Sequence, residues 1–167
     1  MNEDNYRQIY QDVNHQRCVF EKVILLKFAS CEYKKKLLLA EREAASCGLK
    51  NAQINCQLLL NTVRQNARFA LHITKANEPL PHSKELKVQA GGLFGLQQSF
   101  DSKSTMDLEE LFDSRKRYDE IYGPPITNIY QTMSKAIEKY GQVKNFPFTE
   151  IIKTILRFNL PSRRKKR

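Results

Sequence analysis

The sequence predicts an all-α protein: a long N-terminal antiparallel helical hairpin, a smaller C-terminal helical part and a basic tail. Three observations carry that expectation. Residues 1–78 contain no proline and one glycine, Gly48, whereas all six prolines and the other five glycines follow. Proline and glycine are the strongest local punctuation a chain has, so their absence favours long uninterrupted helices. Apolar residues in the first half recur at steps of three, four and seven, the spacing of one helical face, and no stretch alternates as a half-buried strand would.

The first helix is expected to start at Asn2–Asn5, where an Asx side chain can cap it. Its face comprises Tyr6, Ile9, Val13, Phe20, Ile24, Phe28 and Cys31. Lys34, Lys35 and Lys36 interrupt that face, and Leu37 to Ala45 resumes with strong helix formers. Gly48 suits the left-handed position that ends a helix. A continuous helix of this span would be ~60 Å long and would need a partner along its length. The second helix supplies one through Ala52, Cys56, Leu59, Val63, Ala67 and Ala70. A short turn at Gly48 makes the two antiparallel neighbours. This hairpin occupies residues 1–76.

Residues 77–106 read as a loop. Pro79 and Pro81 end the preceding helix, and Gly91, Gly92 and Gly95 argue against regular structure. Leu93, Phe94, Leu96 and Phe100 argue against a passive spacer, which leaves a loop packed on the hairpin or a segment that orders on a partner. The C-terminal helices occupy 107–160. Ser104 or Thr105 caps a third helix with Leu108, Leu111, Phe112, Tyr118, Ile121 and Tyr122 on its face. A fourth runs from about Pro125 to Tyr140 and is closed by Gly141. A fifth follows Pro147 and uses Phe148, Ile151, Ile152, Ile155 and Leu156. The late aromatics, Tyr130, Tyr140, Phe146 and Phe158 among them, are at helical spacing and are expected to fill the core. Residues 161–167 form the tail.

Hydrophobic content of 41% and charged content of 28% place the 167 residues in the globular range and exclude wholesale disorder. The N-terminus is polar and acidic, unlike a secretory signal. The most apolar run, Val23 to Leu26, is far short of the ~20 residues of a membrane span. An intracellular protein without membrane contact is expected, nuclear if eukaryotic. Cys18, Cys31, Cys47 and Cys56 are expected to pack as reduced, small apolar residues. They lack the C-x2–4-C spacing of structural zinc sites, so no metal is expected. There is no G-x-S-x-G, P-loop or G-x-G-x-x-G pattern, and Gly91–Gly95 lacks the Lys-Ser/Thr that would hold phosphate and metal. No catalytic residue, cofactor or small-molecule substrate is expected.

The basic balance is more informative. Formal net charge is +10, and residues 142–167 alone carry eight basic residues against one acidic, net +7. An unneutralised basic block seeks polyanions or an import receptor. Lys153, Arg157, Arg163, Arg164, Lys165, Lys166 and Arg167 are therefore the candidate nucleic-acid contacts. Val19, Phe20, Val23, Ile24 and Leu26 point in nearly every direction around the first helix. They are the candidate surface for a helical protein partner or for self-association. The function these features predict is a non-enzymatic binding or assembly subunit that pairs with a helical protein and contacts nucleic acid through its basic C-terminus. Two alternatives stand beside it: a purely structural protein–protein subunit whose tail localises it, and a small Cys/His-dependent enzyme.

Overall fold

The structure is a computed structural model that describes residues 2–74, 78–100 and 126–159. The expected third helix and the basic tail lie outside the described residues. The chain order is α1 (Glu3–Val13), α2 (Glu21–Leu25), β1 (Lys34–Leu39), β2 (Arg42–Cys47), α3 (Lys50–Ala67), α4 (His82–Phe100), α5 (Ile129–Tyr140) and α6 (Phe148–Arg157). A 3-10 turn at Val143–Asn145 precedes α6.

The long first helix does not form, and neither the all-α fold nor the N-terminal helical hairpin is present. α1 begins as expected, with the Asn2 side chain accepting the Asn5 N–H at 2.8 Å. It stops at Val13. α2 ends within two turns because the Phe28 N–H donates to the Val23 carbonyl and the Lys27 N–H to Ile24. That is a Schellman closure, with Lys27 at φ +61° in the position glycine usually takes. β1 and β2 then pair antiparallel, Lys34 opposite Cys47 and Leu39 opposite Arg42. The two-residue turn between them puts Ala40 at φ +55°, a left-handed value that normally announces itself as glycine. Gly48 ends no helix; its N–H donates to the Tyr33 carbonyl at 2.7 Å and extends the ladder.

Tertiary pairing overrides the helix propensity of Glu41 to Ala45. The Cys18 N–H donates to the Ala45 carbonyl at 3.0 Å, and the Cys47 N–H to the Gln16 carbonyl at 2.7 Å. The segment before α2 thus runs along β2. On the other side of α2, Ser30 and Phe28 exchange backbone bonds with Ile126. The N-terminal half is sewn to the C-terminal half there.

The segment expected to be a loop is the most buried helix. From Glu85 to Leu96 every residue of α4 except Lys87 is buried. The glycines explain how. A Cβ on Gly91 would sit 2.7 Å from the Ile155 Cα, and one on Gly95 would sit 2.9 Å from the Ile151 Cα. Two glycines four apart lie on one helix face, so α4 and α6 touch backbone to backbone. That contact offsets the ~1 kcal/mol that glycine costs inside a helix.

α4 packs against α2, α3, α5 and α6. The core around it draws on both halves of the chain in one cluster, from Phe20, Val23 and Phe28 through Leu59 and Val63 to Ile129, Ile151 and Phe158. The Phe158 ring meets Phe28 edge-on at 5.8 Å and stacks with Phe94 at 6.1 Å. α5 and α6 lie within the expected stretches; α5 starts at Ile129, with Ile126 to Asn128 outside the helix, and ends at Gly141 with φ +85°.

Candidate functional site

A cleft of about 790 Å³ opens between the turn before α2, one face of α3 and the first turns of α4. α3 contributes Gln53, Gln57, Asn61 and Arg64, and Arg68 caps its C-terminus; they are spaced by three or four residues and therefore on one face. The turn contributes His15 and Arg17, and α2 contributes Lys22; α4 contributes Glu85 and Gln89 from the floor. Four basic side chains, Arg17, Lys22, Arg64 and Arg68, meet two acidic ones there, Glu78 and Glu85.

The floor is built from buried polar groups. Glu85 and Gln89 are 5% and 3% exposed and sit one turn apart on α4. The Arg64 guanidinium donates to both Glu85 oxygens, its Nε reaching Oε2 at 3.2 Å. The Gln89 Nε2 donates to Glu85 Oε1 at 2.6 Å. The Gln89 Oε1 is buried and makes no hydrogen bond. A guanidinium fork suits a carboxylate because it supplies two parallel donors. The rim is anchored separately. Gln53 Nε2 donates to the Arg17 carbonyl at 2.6 Å, and Arg17 pairs with Glu21 at 3.2 Å while lying over the Tyr10 ring.

Cys18 also borders this cleft. Burial pushes its thiol up to about 12, so it stays protonated and a poor nucleophile at neutral pH.

No protein-family model matches the chain, and no curated protein or solved structure matches it either. The chemistry of the site therefore rests on its own residues.

Behind the cleft all four cysteines converge. Cys18, Cys31, Cys47 and Cys56 line one apolar cavity of about 50 Å³ with Phe20, Ile129, Met133 and Ile137. Burial raises the Cys56 thiol well above the usual range, and Cys47 Sγ donates to the Leu49 carbonyl at 3.3 Å. Among the described residues no group of three or more His, Cys, Asp or Glu is arranged to hold a metal ion. Nor is any described helix long and apolar enough to cross a membrane.

The residues singled out from sequence lie elsewhere. Lys153 is exposed on α6 and pairs with Glu150 at 2.9 Å; Arg157 is exposed one turn later. Neither lines the cleft. Arg163, Arg164, Lys165, Lys166 and Arg167 lie outside the described residues. Of the five partner-surface candidates, Phe20, Val23 and Ile24 are buried in this chain's own core. Val19 is half-buried against that core, and only Leu26 is exposed. The apolar surplus on that segment is therefore covered internally, because α2 is a short helix enclosed by α4 and β2. Sequence reading missed the cleft because its residues come from three separated segments. One signal was present: Glu85 and Gln89, four apart on one face with Lys87 off it, mark a buried polar pair once that segment is read as a helix.

Proposed function

We propose that this chain is a non-enzymatic binding protein whose ligand is nucleic acid, contacted through the α3 cleft and supplemented by the basic C-terminal residues. The observation that carries this reading is the convergence of Arg17, Lys22, Arg64 and Arg68 with the amides of Gln53, Gln57 and Asn61 on one open cleft. Cations hold phosphates. Gln53 Nε2 is engaged by the Arg17 carbonyl and Gln57 Nε2 by Asn61 Oδ1, which leaves the other end of each amide for base edges. The net charge of +10 favours a polyanion at long range.

Salt-titrated binding of single- and double-stranded DNA and RNA tests it. The logarithm of affinity should fall linearly with the logarithm of salt concentration. Replacing Lys22 and Arg68 together with alanine should flatten that slope by roughly 0.7 to 0.9 for each phosphate no longer neutralised. Deleting Arg163 to Arg167 should flatten it further. Absence of salt-sensitive binding at low ionic strength would remove the reading.

Assembly with a protein partner has separate support. Ile54 and Leu58, one turn apart on α3, are 55% and 49% exposed, and Phe69 just beyond α3 is 95% exposed. Apolar groups this open cost least when a partner covers them. Light scattering of native protein against Ile54→Ser/Leu58→Ser would register a change of mass if they form a self-association surface.

A further inference from the structure

We infer that the α3 wall of the cleft holds a phosphate seat: Arg64, fixed in place by Glu85, offers the free edge of its guanidinium, and Asn61 and Arg68 flank it on the same helix face. The inference rests on the nucleic-acid reading and names the side chains that take a backbone phosphate.

A guanidinium carries five N–H donors in one plane and can serve two acceptors from different edges. Arg64 gives one edge, Nε and Nη2, to the two Glu85 oxygens. The other edge, Nη1 with the outer hydrogen of Nη2, faces away from that carboxylate. Nη1 makes no hydrogen bond to a described residue. Among the described residues the only buried polar side-chain atoms without a partner are Asn14 Oδ1 and Gln89 Oε1. Nη1 is therefore open to solvent, on a side chain that is 36% exposed and lines the cleft, whereas its Glu85 partner is 6% exposed. A buried carboxylate is costly without its cation, so Glu85 pins the guanidinium and the free edge is held ready. Two parallel N–H groups on a rigid fork match two oxygens of a phosphate.

The neighbouring groups are donors too. Asn61 accepts from Gln57 Nε2 through Oδ1 at 2.9 Å, which leaves its Nδ2 unengaged. The Arg68 side chain makes no hydrogen bond to a described residue and lines the same cleft. Positions 61, 64 and 68 step by three and four, so the three side chains lie along one face. The acceptors beside them are used internally: Glu85 serves Arg64 and also Gln89 Nε2, the latter at 2.6 Å. What remains is a row of N–H donors with two positive charges, one of them balanced by Glu85. A base edge brings donors of its own and would meet donors here. A phosphate brings only acceptors and a negative charge, and it has oxygens enough for all three side chains.

Fluorescence anisotropy of labelled oligothymidylate over a salt series, with the full chain, tests the seat through substitutions that separate contact from charge. Arg64→Lys keeps the charge and the pair with Glu85 but spends its ammonium there and loses the outward fork. It should weaken binding about tenfold, the worth of a hydrogen bond to a charged group, and lower the salt slope by roughly 0.7. The same exchange at Arg7, exposed on α1 beside Glu3, should change neither. Asn61→Asp should weaken binding more than Asn66→Asp, which makes the same charge change on α3 at a position that does not line the cleft. Salt-sensitive binding that is unaltered in Arg64→Lys would overturn the seat and keep the broader reading. Equal losses in the two Asn→Asp variants would also overturn it, since net charge alone would then be read. Should Arg64→Lys fail to fold, the two Asn→Asp variants decide. If the native protein binds no oligothymidylate, the broader reading falls, and calorimetric titration with inorganic pyrophosphate decides the seat. Pyrophosphate binding that Arg64→Lys abolishes would support it, and absence of binding would overturn it.

Discussion

At Glu21 three parts of the molecule meet on one buried carboxylate. The Tyr10 hydroxyl donates to both of its oxygens, at 2.9 and 2.8 Å, the Ala45 N–H donates at 2.8 Å, and Arg17 pairs at 3.2 Å. One side chain thereby ties α1, α2 and β2 together and holds Arg17 at the cleft rim. Glu21→Ala strands a backbone donor, a hydroxyl and a cation at once. It is expected to lower the unfolding free energy by roughly 3 kcal/mol. Urea denaturation would show this as a lower midpoint with an unchanged slope, and a change below about 0.5 kcal/mol would show the hub to be dispensable. Ala40 gives the opposite expectation. It holds φ +55° with a Cβ that disfavours that value. Ala40→Gly should raise stability by about 1 kcal/mol in the same assay. A loss would mean the turn is not strained by its side chain.

The α4–α6 contact is the element on which the fold depends most. Gly91 and Gly92 are neighbours in sequence but not in environment. A Cβ at 91 runs into the Ile155 backbone at 2.7 Å, whereas one at 92 meets the Val63 side chain at 3.5 Å, an ordinary contact. Gly91→Ala must separate two helices, a cost of about 1–3 kcal/mol even though alanine is the better helix former. Gly92→Ala should be neutral or stabilising by up to about 1 kcal/mol. Paired thermal melts of the two variants read the difference directly. Equal melting temperatures would mean that α4 and α6 are not in backbone contact.

Over the whole molecule, the converging thiols set an alkaline limit on stability. Cys18 titrates at about 12 in the folded chain against an ordinary 9.0, and Cys56 is displaced in the same direction, both because of burial. Between those values the unfolded chain loses thiol protons that the folded chain retains. Stability is therefore whole below pH 9 and falls as pH rises, by at most ~1.4 kcal/mol per pH unit for each thiol. Tyr10, raised by burial and by its bond to Glu21, acts in the same sense. Denaturant melts from pH 7.5 to 10.5 should show a steepening loss above pH 9 that Cys56→Ala makes shallower. A flat profile would show that the thiols are exposed in the folded state.

Local chemistry alone determined an Asx-capped start of α1 within Asn2–Asn5, the general stretches of α5 and α6 and the closure at Gly141, because caps, breakers and one-face periodicity act within a few residues. It also determined that the cysteines would be partly buried thiols. Tertiary structure decided the rest. The β-hairpin was illegible because Lys27 and Ala40 occupy left-handed positions where glycine would have marked the ends of α2 and β1. The central helix was illegible because Gly91 and Gly95 weaken a helix in isolation and become favourable only when α6 lies against them. The cleft was illegible because Arg17 and Lys22, Arg68, and Gln89 come from three segments far apart along the chain. Long-range backbone pairing and close helix packing outweigh local propensities of a few tenths of a kcal/mol per residue, and only they bring those side chains to one place.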